Sequence, residues 1–185
     1  MIATTTPING IDVEALQSAI AAMTAEPAKA QTNWSITSRW QGGTRSDHHV
    51  EGFGIGGQVV RRPFVIKIDE PLELCGTNQH ANPQEYLLSA LNACMMVGYS
   101  AVSALMGVKL TKLEVRTSGD IDLRGFLGID ASVPAGYEKL KQEVHIAGDG
   151  TPEQFEEIHA IVRATSPNFF NITRAVAVQS KLVVE

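Results

Sequence analysis

NPQEYLLSALNACMMVGYSAVSALMGV, residues 82–108, reads as one long helix with no polar face, and that reading decides the architecture. Its start is written locally. Asn82 can cap the helix, Pro83 suits its first position, and Glu85 stands where a reciprocal capping box needs a carboxylate. Gly107 can end it. From residue 86 to 108 there is no charged side chain, a run long enough to cross a bilayer. Ser89, Asn92, Ser100 and Ser103 lie within it, Gly98 interrupts it midway, no basic cluster flanks it, and no second such stretch exists. The expectation is a helix buried at the centre of a soluble protein, of the kind that needs a second subunit to cover it.

Working outward, residues 1–10 are expected to be disordered, and Asp12 to cap a short helix running to about residue 25, with Val13, Leu16, Ile20 and Met23 on one face. Strands are predicted over residues 33–40, 44–53 and 58–68, separated by glycine turns. A loop over 69–81 leads into the long helix. Two more strands follow, 113–123 and 137–147. Thr151-Pro152-Glu153-Gln154 then opens a second helix to about residue 165, with Phe155, Ile158, Ile161 and Val162 as its buried stripe. A last strand is predicted over 174–184. Blocks of strands broken by two helices imply an α+β fold with largely antiparallel sheet.

The 185 residues suit one domain with an N-terminal segment, and 44% hydrophobic with 19% charged residues supplies a core. A formal net charge of −5 and the absence of a basic stripe exclude a nucleic-acid binder. Two cysteines make no disulfide framework, so a reduced cytoplasmic setting is expected. The N-terminus lacks the basic and apolar regions of a secretory signal.

Cys94 is the residue with chemical promise. A free cysteine inside an apolar helix is commonly a buried small hydrophobe. As a nucleophile it would need a stabilised thiolate, and it lies too far along the helix for the N-terminal dipole to supply that. A cation would have to come from elsewhere, with Arg45, Arg61 and Arg62 as candidates on the preceding strands. Cys75 is either an incidental loop cysteine or a second thiol able to meet Cys94. His48 and His49 point to opposite faces of a strand and cannot easily share a metal. His80, His145 and His159 are scattered, and no metal or cofactor motif is present. Asp69-Glu70 and Asp120/Asp122 read as turn and solvated strand-face charges.

Several segments together resemble the OsmC/Ohr family. They are Asp69-Glu70-Pro71 with Gly76-Thr77-Asn78, the helix start NPQEYLLSALNAC ending at Cys94, the run Gly119-Asp120-Ile121-Asp122-Leu123-Arg124-Gly125-Phe126-Leu127-Gly128, and Ser166-Pro167. The resemblance covers residues 34–185 and leaves 1–33 as an N-terminal extension carrying the short helix. It implies an intertwined homodimer in which central helices are sandwiched by strands from both subunits, with active sites at the interface. It further implies reduction of alkyl or lipid hydroperoxides by a reactive cysteine, an arginine holding its thiolate, a glutamate holding the arginine, and a dithiol reductant such as a lipoylated protein. On that basis Cys94 is the reactive thiol and Arg62 the best match for the arginine, ahead of Arg45 and Arg61. Gln84 stands at the glutamate position with Glu85 beside it, and Cys75 is the candidate resolving thiol, because the usual resolving position is Ser166. No cofactor, membrane or nucleic acid is implied. The competing expectation is a non-catalytic relative that binds a small apolar ligand at the dimer interface, with Cys94 merely buried.

Overall fold

The computed structural model describes residues 6–185. It divides into two compact units with the boundary after Leu87. Of the disorder expected over residues 1–10, the part at 1–5 lies outside the described residues. Beyond it, Ile8 and Ile11 exchange backbone hydrogen bonds of 3.0 and 2.9 Å, so this stretch is a closed turn leading to Asp12. The Asp12 carboxylate accepts from the Ala15 N–H at 2.9 Å and starts α1, Val13–Ala25, as expected.

The first unit is built on a four-stranded antiparallel sheet of β1 (Thr32–Trp34), β2 (Thr37–Trp40), β3 (Ser46–Ile55) and β4 (Gln58–Ile68). The single strand expected over 33–40 is therefore two. Both pair with β3, Trp34 opposite Phe53 and Thr37 opposite His49. Three steps on one side span four on the other, so β3 carries an extra residue there and the pairing lapses at Ser35-Ile36. Its pairing with β4 also slips, between Val50 opposite Phe64 and Gly52 opposite Arg61. Pro63 lies in that slip and has no N–H to give a ladder. The Trp34 and Phe53 rings stack at 4.7 Å. The His48 ring is bracketed by the Ser38 and Ser46 hydroxyls at 2.7 and 2.8 Å, which gives it a structural role.

The long helix, α2, runs Pro83–Leu105 and crosses the boundary between the units. Its start forms as read from the sequence. The Asn82 N–H donates to Glu85 Oε2 at 2.7 Å, and the Glu85 N–H donates to Asn82 Oδ1 at 2.8 Å. Tyr86 donates to the Lys67 carbonyl at 2.8 Å and ties this start to β4.

The second unit comprises the rest of α2, the antiparallel pair β5 (Leu110–Gly119) and β6 (Leu140–Gly148), α3 (Leu123–Phe126), α4 (Pro152–Thr165) and α5 (Pro167–Thr173). Leu91, Met95 and Tyr99 recur every fourth residue on α2 and pack in one buried cluster with Val108 and with Ile158 and Val162 of α4. Gly98 lets the two helices approach, since a Cβ there would sit 3.1 Å from Val162 Cγ1. The Thr151/Gln154 capping box that starts α4 is complete. Substituting Ile158, which is wholly buried, by Val removes one methylene from this cluster. It should lower stability by about 1 kcal/mol with an unchanged denaturant m-value, measured by urea unfolding.

The second unit departs from the sequence reading at three places. The strands placed at 113–123 and 137–147 are shifted, because Asp122 turns the chain. Its carboxylate accepts from the Arg124 N–H at 3.0 Å, caps α3, and is gripped by the Arg124 guanidinium at 2.5 Å. That contact holds the Asp122 carboxyl below its usual range. Next, α5 is a helix additional to the two read from the sequence; Ser166 caps it, with Pro167 at its first position. Finally, residues 174–185 form no ladder among the described residues. Their apolar pattern is a strand pattern, yet Val178, Leu182 and Val184 are 84–86% exposed. Likewise α2 buries one stripe while Met96, Val97 and Leu105 stay exposed within the chain.

Candidate functional site

Cys94 stands on α2 between Leu91, 3% exposed, and Met95, which is fully buried, but its own side chain is only partly covered. Helical geometry explains the difference. Leu91 and Met95 are four residues apart and share the stripe facing α4, whereas Cys94 is turned about a hundred degrees from Met95, toward the end of α4 and the start of α5.

The group beside the sulfur is Ser166. Its hydroxyl donates to Cys94 Sγ at 3.3 Å, and its oxygen accepts from the Phe169 N–H at 3.3 Å as the cap of α5. Asn168 Nδ2 donates to the Ala90 carbonyl at 2.8 Å, so α5 is pinned to α2 one turn before the cysteine. On another side of α2, Asn92 donates to the Val115 carbonyl at 3.3 Å and accepts from Thr117 Oγ1 at 2.6 Å, with Gln142 completing the group. These bonds fix the roll of the helix, and so the direction of the sulfur. One turn further, the Tyr99 hydroxyl meets His159 Nδ1 at 2.5 Å. Burial raises the Tyr99 phenol to about 12, against the pull of nearby Arg163, so it stays protonated at neutral pH. The Arg163 guanidinium itself lies 5.3 Å from the centre of the Phe169 ring.

The other residues singled out from the sequence belong to the first unit. Arg62 is on β4 with its guanidinium 4.8 Å from the centre of the Phe64 ring. Arg61 on the same strand and Arg45 just before β3 are exposed. Arg45 donates to the Gln41 carbonyl at 3.2 Å. Gln84 is exposed in the first turn of α2, and Glu85 is committed to the capping box. Cys75 is exposed after a 3-10 turn over Leu72–Leu74, with a left-handed φ of 62°. Its backbone is held by Leu72 O at 3.1 Å. Among the described residues no group of three or more metal-ligating side chains comes together. Sequence reasoning noted Ser166 only as the absence of a thiol. Its place as the cap of α5 is signalled by Ser-Pro after a helix, the cap-and-first-position pattern that also starts α2 and α4, whereas its donation to Cys94 carries no local signal.

A family model described as OsmC-like protein matches residues 76–181, a span that includes Cys94 and Ser166. No curated protein matches the chain. Among solved structures, an OsmC-like protein from Mycoplasma pneumoniae is 15% identical, covering 76% of this chain and 87% of its own, with a TM-score of 0.58. A protein from Psychrobacter arcticus 273-4, assigned to osmotic stress induction and detoxification response, is 12% identical over 73% and 85%, with a TM-score of 0.56. An organic hydroperoxide resistance protein OsmC from Legionella pneumophila is 18% identical over 75% and 89%, with a TM-score of 0.45. At these identities the first two show a shared α+β fold.

Proposed function

We propose that this chain, which belongs to the OsmC-like protein family, reduces organic hydroperoxides with Cys94 as the nucleophile. The observation that carries this reading is the partial exposure of Cys94 between two sealed neighbours on the same helix. A cysteine serving only as a small hydrophobe has no need of a polar partner. One that must meet a substrate needs a path to its sulfur and a polar partner beside it, and Cys94 has Ser166.

The chemistry is that of a thiolate on a weak O–O bond. The sulfur attacks the outer peroxide oxygen, the O–O bond breaks, and the alkoxide takes a proton and leaves as an alcohol; Cys94 becomes a sulfenic acid. A dithiol reductant, such as a lipoylated protein, returns it to the thiol. In this reading the thiolate needs a cation, the role that the sequence resemblance gives to Arg62 ahead of Arg45 and Arg61, with Gln84 or Glu85 at the orienting position. A reduced cytoplasmic setting keeps Cys94 ready. The test is consumption of cumene hydroperoxide by the purified protein with a dithiol. No consumption with any dithiol would turn the assignment to a ligand-binding module.

The working form in this proposal is a homodimer. Its support is apolar surface that one chain leaves open: Val97 on α2, Val59 on β4, and the alternating Val176, Val178, Leu182 and Val184 near the C-terminus. The last four stand at positions that would share one face of an extended strand, and they form no ladder among the described residues. At micromolar concentration, sedimentation should give twice the 19.9 kDa chain mass. Deleting residues 175–185 should shift the species to monomer or aggregate. A full-length chain that sediments as a monomer there would end the dimer proposal.

A further inference from the structure

Ser166 is 5% exposed and is placed to do one thing with its proton. A hydroxyl has a single O–H to donate. Its oxygen is already used by the Phe169 N–H at 3.3 Å, and the proton is aimed at Cys94 Sγ, also at 3.3 Å. The donor is rigid because its backbone caps α5 and the Asn168 side chain of the same helix is bonded to the Ala90 carbonyl. A buried donor favours the charged form of the acceptor over the neutral one. It does the same for the sulfur after oxidation, when a sulfenic acid offers lone pairs to the same O–H.

From this we infer that Ser166 is a positioning residue for Cys94 and commits it to a one-cysteine cycle, in which the sulfenic acid persists until a thiol from outside the chain removes it. The inference rests on the hydroperoxide reading above. A hydroxyl cannot form a disulfide, so the residue at the sulfur holds the oxidised state without resolving it. The external thiol attacks the sulfenic sulfur, water leaves, and a mixed disulfide forms. A second thiol of the same reductant then displaces the Cys94 thiol and closes the reductant's own disulfide.

Two measurements test this on the full-length protein. In the first, Cys94 is alkylated with iodoacetamide across a pH series. Ser166→Ala should slow alkylation about three- to tenfold at neutral pH, and Ser166→Thr, which keeps a hydroxyl, should restore it. Superimposable profiles for parent and Ser166→Ala would overturn the positioning role. In the second, the protein receives one equivalent of cumene hydroperoxide and then dimedone, and Cys94 is mapped by mass spectrometry. The parent should carry the dimedone adduct, and Ser166→Cys should instead show a disulfide between residues 94 and 166. A disulfide between Cys75 and Cys94 in the parent would overturn the one-cysteine cycle. Because alkylation needs no peroxide, a Ser166 effect there with no oxidation of Cys94 would sink the hydroperoxide reading and leave the positioning role standing.

Discussion

Cys94→Ser should cut hydroperoxide consumption by at least about a thousandfold while leaving the fold intact. Serine is nearly the shape of cysteine, and the Ser166 hydroxyl at 3.3 Å can donate to an oxygen as well as to a sulfur. The helix loses no packing, since the buried stripe belongs to Leu91, Met95 and Tyr99. What goes is the nucleophile. An alcohol at neutral pH is scarcely ionised, and oxygen has no sulfenic state through which to pass an oxygen atom to a thiol. Far-ultraviolet circular dichroism should therefore overlay on the parent while cumene hydroperoxide and dithiol persist together in the assay. Cys75→Ser makes the counterpart. Exposed in its loop, it should leave the rate within about twofold of the parent if an external thiol regenerates Cys94. Retention of a tenth or more of the rate by Cys94→Ser would remove this cysteine from the mechanism.

Why this sulfur was visible from the sequence, and its partner was not, follows from the range of the interactions. The capping boxes at Asn82/Glu85 and Thr151/Gln154 close within four residues, so sequence spacing alone specifies them. The stripe of α4 was legible because 3.6-residue periodicity needs no knowledge of the partner. The contact between Cys94 and Ser166 spans 72 positions and depends on how α5 packs against α2, which no local pattern encodes. The split of the expected 33–40 strand is a similar case. The gap falls opposite an extra residue of β3 between His49 and Phe53, a feature of the partner strand. The 174–184 segment shows the opposite failure. Its alternation is a strand pattern, but the segment forms no ladder among the described residues, because alternation marks a face that could be buried and supplies no pairing partner.

Asp69 in the first unit has the strongest claim to be structurally indispensable, and Asp69→Ala should lower the melting temperature by about 10 °C or more. The residue was expected to be a simple turn charge. It is instead inaccessible to solvent. Its carboxylate accepts from Thr77 Oγ1 at 2.5 Å and the Thr77 N–H at 3.0 Å, from the Gln79 N–H at 3.2 Å, and from Thr44 Oγ1 at 2.8 Å. One side chain thus gathers the loop that leads to α2 onto the end of the sheet. The same loop is threaded tightly at Gly76, where a Cβ would lie 1.7 Å from the Glu70 carbonyl oxygen. Removing the carboxylate strands several donors at once, which is costlier than losing the bonds alone. The pH dependence has a definite sign. The Thr77 hydroxyl first, then Thr44 and the backbone amides, hold the Asp69 carboxyl far below the usual carboxylate range, outweighing the opposing effect of burial. A group depressed in the folded state binds its proton more readily unfolded, so its contribution is complete above about pH 5 and fades as the pH falls through the unfolded value of about 3.9. Asp69→Asn keeps the shape but not the charge. Between pH 7 and pH 3 its melting temperature should fall less steeply than the parent's, and the two curves should converge toward the acid end. Parallel curves would show that the Asp69 charge plays no part in holding the loop.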